Sequence, residues 1–202
     1  WSMMHGMKAL YKGEWSVKQF DSLIKVYQDS FPANAYRLYF TSNHDENSWN
    51  GTEFEKYGDA YKTFAVFTQT MYQAVPLIYS GQETMNTKRL KFFVKDTIPW
   101  TAEMGMASFY KTMLTLRRSN PALAASASYK RLTSSADGAV FAYVRQKEGH
   151  KVVVVLNLSK QSQKFTIKDE SINGDPLNVF SAVKENIRSG KEFNLLPWGF
   201  TV

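Results

Sequence analysis

Two polar clusters, each directly after an apolar run, carry the residues best suited to chemistry. In the first, Arg37 to Thr41 runs into Asn43, His44, Asp45, Glu46 and Trp49; in the second, Val75 to Tyr79 breaks into Ser80, Gly81, Gln82 and Glu83. An imidazole beside a carboxylate offers a hydrogen-bond donor and an acceptor at one point, and an indole nearby offers an apolar face. The same pair would equally suit a loop tie or a helix cap, with Asn43 bonding only to backbone. Metal ligation has no pattern behind it. His5, His44 and His150 are far apart, cysteine is absent, and no acidic run has calcium-type spacing.

The elements that must hold these clusters can be read from capping and periodicity. Ser16 and Gln19 form a capping box, and Phe20, Leu23, Ile24 and Tyr27 recur at helical spacing, so a helix is predicted over about Val17 to Gln28, stopped before Pro32. Arg37 to Thr41 reads as a strand. Thr52 and Glu55 form a second capping box, opening one helix whose apolar stripe runs from Phe54 to Tyr72. Val75 to Tyr79 is the next strand, Gly81 to Trp100 a long loop, and Thr101 the cap of a helix over about Ala102 to Arg118. Strand, polar loop, helix, strand, polar loop is the order of a parallel α/β fold, in which the loops after the strands hold the chemistry.

Beyond Pro121 the period shortens to two. Ala139 to Gln146 and Lys151 to Leu158 are β-branched and aromatic runs joined by Lys147, Glu148, Gly149 and His150, a hairpin signal. Further strands are expected near Gln163 to Lys168, Pro176 to Phe180 and Glu192 to Leu196, forming a small antiparallel sandwich. The expected division is therefore residues 1–122, α/β, and residues 123–202, all-β.

Lysine plus arginine number 25 against 18 acidic residues, but the cations are scattered from Lys8 to Lys191, which reads as solvated surface and not as a nucleic-acid interface. No apolar run is of membrane-spanning length, and the first residues lack the pattern of a signal peptide. No nucleic-acid or membrane partner is expected.

The segment Asn43-His44-Asp45, the run Pro76 to Glu83, the stretch Lys88 to Trp100 and the late Leu196 to Phe200 together resemble the α-amylase family of retaining α-glucan hydrolases. The resemblance implies the last two strand-helix units of a (β/α)8 TIM barrel, preceded by one helix and followed by an antiparallel β-sandwich. It also implies cleavage of α-1,4-glucosidic bonds in starch or maltooligosaccharides with retention. By resemblance His44 and Asp45 are the transition-state stabilisers, contacting hydroxyls of the sugar being cleaved. Asn43, Trp49 and Glu83 are the substrate-binding candidates, Trp49 by stacking on a glucose face. The motifs for the nucleophile and general acid have no counterpart upstream of Tyr36, so the chain resembles a carboxyl-terminal portion, inactive alone and open to self-association through its truncated barrel. Structural calcium in the family belongs to an earlier insertion, so neither metal nor cofactor is expected here, and an extracytoplasmic site of action is implied by resemblance alone. A non-catalytic carbohydrate-binding protein, or an α-1,6-glucosidase or transglycosylase of the same family, would share these residues. A basic interaction module is a further alternative.

Overall fold

The computed structural model describes residues 1–100 and 104–202. It opens with a helix for which the sequence carries no clear signal, α1 (Ser2–Lys12), which buries Met3, Met4, Met7 and Leu10 and ends at Gly13 in the left-handed conformation. The helix α2 (Val17–Ser30) begins at the expected capping box: Ser16 Oγ accepts the Gln19 amide, and Gln19 Oε1 accepts the Ser16 amide at 2.8 Å. Strand β1 (Arg37–Tyr39) comes next, shorter than the run to Thr41 suggested.

The first polar cluster is helical. Residues expected in a loop form α3 (His44–Asn50), and the capping box at Thr52 opens α4 (Glu53–Tyr57). The single helix predicted from Thr52 to Tyr72 is broken in two. Gly58 takes φ +47°, a short 3₁₀ turn spans Gly58–Ala60, and α5 (Tyr61–Thr70) resumes. The break makes room for Tyr11, whose hydroxyl would lie 1.9 Å from a Cβ at position 58. Periodicity cannot see this, because the obstacle comes from α1.

Strand β2 (Ala74–Pro76) lies parallel to β1, with Arg37 opposite Ala74 and Tyr39 opposite Pro76. The chain then passes a 3₁₀ turn at Gln82–Thr84 and an irregular stretch to α6 (Ala107–Ser119). Residues 104–106 are non-helical, so α6 starts later than expected; the predicted cap at Thr101 lies outside the described residues.

The antiparallel portion contains a four-stranded sheet of β3 (Ser128–Leu132), β4 (Val140–Lys147), β5 (His150–Asn157) and β8 (Phe200–Thr201), in the order β3-β4-β5-β8. A two-stranded sheet pairs β6 (Gln163–Thr166) with β7 (Glu192–Leu195). The expected β4–β5 hairpin forms, and positive φ at both Glu148 and Gly149 suits a two-residue turn whose twist matches the strands. Strand β3 is an addition to the expected set. Among the described residues the strand expected over Pro176 to Phe180 does not form; an isolated bridge joins Leu177 to Lys184 and the Val179 amide donates to the Val202 carbonyl, because the segment doubles back within a few residues.

The alternation along β4 decides how the chain packs. Phe141 and Tyr143 face a core shared with Phe20, Phe64 and Phe67 of the helices, whereas Val140, Ala142 and Val144 face Phe165, Ile167 and Phe193. The larger sheet is thus a wall covered on both faces. Towards the end of β4, Arg145, fully buried, donates to the carbonyls of Thr70, Ser128, Ala124 and Ala127. Among the described residues no helix is long and apolar enough to cross a membrane.

Candidate functional site

Asn43 is a buried N-cap: its Oδ1 accepts the Glu46 amide at 2.9 Å, satisfying one of the free N–H groups that begin α3. The cap fixes the first turn of the helix. His44 and Asp45 occupy that turn, His44 largely exposed and Asp45 partly so, with His44 Nε2 3.5 Å from Asp45 Oδ1. The helix amino terminus favours the Asp45 carboxylate. The side chains thus present a donor and an acceptor to solvent from a rigid element, with the Asn43 amide oxygen committed beneath them.

Glu46, polar and in the first cluster, does not face solvent. It is buried, accepting the Trp1 indole N–H at 2.7 Å and the Asn50 amide at 3.0 Å, so its partner comes from 45 residues away. Asn47, also buried, accepts the Leu90 amide at 2.8 Å and pins the long loop against α3.

That loop supplies an aromatic group which sequence reasoning does not single out. The Phe92 ring lies nearly parallel to His44 with centroids 6.0 Å apart, and Trp49 packs 5.4 Å from Phe92 and 6.2 Å from Phe93. Trp49 and Phe93 remain well exposed. The loop is tied to α4 by one ion pair and braced within itself by another. Arg89 forms a forked pair with Glu55, whose carboxyl it holds down at about 2, and Lys88 pairs with Asp96. Lys88 and Arg89 are therefore exposed surface groups with a local structural task.

In the second cluster Glu83 Oε2 accepts the Gly81 amide at 2.8 Å, which ties Glu83 to its own turn. Asn43, His44, Asp45 and Trp49 come together on α3 and its cap, whereas among the described residues no hydrogen bond joins Glu83 to His44 or Asp45. The two clusters are joined underneath, through Glu53. Its Oε2 accepts Thr41 Oγ1 at 3.1 Å and the Gln82 side-chain amide, which also donates to Thr41 Oγ1 at 2.7 Å; Gln82 Oε1 in turn accepts the Tyr79 amide at 2.7 Å. Burial pushes the Glu53 carboxyl up to about 7, against the lowering effect of these donors. Lys56, also buried, donates to Ser42 Oγ at 3.1 Å and to the Gly51 carbonyl at 2.8 Å, and burial brings its ammonium down to about 8. The only local signal for Glu53 is its place in the first turn of a capped helix, where an acid needs no other reason.

Residues 140–200 match the family model described as the α-amylase SusG C-terminal domain. Alpha-amylase 2 of Dictyoglomus thermophilum is 24% identical over 180 residues, covering 83% of this chain and 30% of that protein. The maltogenic α-amylase AmyB from Thermotoga neapolitana superposes with a TM-score of 0.78 at 16% identity, over 96% of this chain and 47% of that one. An α-amylase from Lactobacillus plantarum gives a TM-score of 0.78 at 18% identity, over 98% of this chain and 45% of that one. The chain spans less than half the length of each of these three proteins.

Proposed function

We propose, from the premise that this chain is a relative of the α-amylase family, that it forms the carboxyl-terminal portion of a glycosidase. The enzyme would cleave α-1,4 bonds of starch or maltooligosaccharides with retention. In this reading β1 and β2, with their helices, are the last two strand-helix units of a (β/α)8 barrel, and residues 123–202 form the β domain behind it.

Retaining hydrolysis passes through an oxocarbenium-like state in which hydrogen bonds to the ring hydroxyls strengthen. Asp45 accepts from the hydroxyls of the sugar being cleaved, and His44 donates to a neighbouring one. Trp49, with Phe92 and Phe93, offers apolar faces to the C–H side of a pyranose ring. Glu83 holds the Gly81 turn at the rim. The nucleophile and general acid come from other residues of the whole enzyme, so this chain alone hydrolyses no starch.

The observation that carries the reading is the solvent-facing His44–Asp45 pair at the start of a capped helix, directly after a parallel strand. In the full-length enzyme Asp45→Asn is expected to lower kcat by on the order of 10²-fold with a smaller change in KM. A folded variant with kcat within about twofold of the parent would overturn the assignment. The exposed aromatic group also favours a second reading, carbohydrate binding without turnover. Maltooligosaccharide binding by a full-length protein that never releases reducing sugar would select it.

A further inference from the structure

Between the two polar clusters lies a cavity of about 10 Å³, lined by Ser42, Asn47, Glu53, Tyr79, Gly81 and Gln82 among others. That is the space of roughly one water molecule. Glu53, at 3% exposure, is one of its walls, and while Oε2 takes Thr41 and Gln82, Oε1 is buried and meets no donor among the described residues. An unmet carboxylate oxygen is costly, which makes this the place for a donor of water size. Ser42 supplies the complement: its oxygen accepts Lys56, and its own hydroxyl hydrogen, given to no acceptor among the described residues, is available.

We propose that this cavity binds one structural water, which donates to Glu53 Oε1 and accepts from Ser42, and that Glu53 thereby acts as a positioning residue for His44 and Asp45. The water completes a path from Ser42, two residues before His44, through Glu53 and Gln82 to the Tyr79 backbone at the second cluster. The two strand-end segments are thus held at a fixed spacing by a joint that neither contacts substrate nor takes part in chemistry. A cation is a poor fit for the same space. The site has one carboxylate, and the Lys56 ammonium already sits on its Ser42 wall, so a second positive charge would be repelled. The other charged neighbour, Glu83, belongs to the second cluster and is tied to Gly81.

The positioning role rests on the function proposed above, whereas the water site does not. A high-resolution structure of the full-length protein is expected to show a water at ~2.6–3.2 Å from both Glu53 Oε1 and Ser42 Oγ. Contacts near ~2.4 Å from six or more oxygens would indicate a calcium-type cation and overturn the proposal, as would a cavity closed by side chains. Glu53→Leu is expected to speed amide exchange across residues 42–47 and to lower kcat on the order of tenfold, with KM within about twofold. Glu53→Gln, which keeps an acceptor, is expected to restore slow exchange and most of the kcat. If Asp45→Asn abolishes activity while a folded Glu53→Leu matches the parent in kcat and in exchange, the positioning role falls and the catalytic reading stands. If Asp45→Asn is fully active, the exchange rates and the density at Oε1 still decide the joint.

Discussion

The guanidinium of Arg145 donates to the carbonyl of Thr70 at 2.6 Å, so a strand of the antiparallel sheet closes the last turn of α5. Arg117 does the same from α6, donating to Gln69 at 2.9 Å and to Ala74 at 2.6 Å. Helix ends leave carbonyls without intrahelical partners, and here two arginines satisfy those of Gln69 and Thr70, Arg145 in the buried interior and Arg117 from a partly buried position. Arg145→Met is expected to cost more than about 3 kcal/mol, because four carbonyls lose the guanidinium at once and only that of Ala124 keeps a backbone donor, the Ala127 amide, among the bonds described. The melting temperature of the full-length protein should fall by on the order of 10 °C. A loss within about a degree would show that water replaces the guanidinium without penalty.

Glu53 makes stability depend on pH with a definite sign. Burial raises its carboxyl from 4.5 to about 7, so the folded chain binds the proton more tightly than the unfolded one. Its contribution is fully present below the unfolded value, is lost progressively as pH rises from 4.5 to about 7, and stays lost above. Glu53→Gln removes the titration, and relative to the parent it should gain up to about 3 kcal/mol between pH 4.5 and pH 8. Parallel denaturant curves for parent and variant at the two pH values would contradict the burial argument.

Phe93 is 82% exposed, so truncating it tests binding with little effect on folding. Phe93→Ala in the full-length enzyme is expected to raise KM for maltoheptaose about three- to tenfold with kcat unchanged, the loss of one stacking face. An unaltered KM would mean that the ring covers protein and not sugar.

Gly58→Ala should destabilise by at least about 2 kcal/mol, since it meets both a left-handed φ and the Tyr11 hydroxyl. Adding Tyr11→Ala removes only the steric part, so the two losses should be less than additive in a double-mutant cycle. Strict additivity would place the Tyr11 contact elsewhere.

Local chemistry is readable in this chain and distant chemistry is not. Both capping boxes, at Ser16 and Thr52, depend on residues three apart, and the β4–β5 hairpin depends on a two-residue turn. Each forms as its residues predict. The helix α1 lacks a side-chain cap and draws its apolar face from methionines, so it leaves no start signal. Glu46 gives no hint of its burial because its partner Trp1 lies 45 positions away, and Glu53 gives no hint of its role because Thr41 and Gln82 lie 12 and 29 positions away. Helix α3 is hidden because polar residues dominate its seven positions; its Asn43 cap competes, on sequence alone, with a ligand contact.

The two-faced sheet limits how this chain can be recombined. Phe141, Tyr143, Val154 and Leu156 are cut to fit the helices, while Val140, Ala142, Val144 and Val155 are cut to fit the smaller sheet. A transplanted carboxyl-terminal half would bring one matched seam and one foreign one. Exchange between homologous enzymes should therefore succeed only when the residues on the helix-facing rows travel with those they touch, so that the boundary for viable chimaeras tracks a surface in space and not a point along the chain.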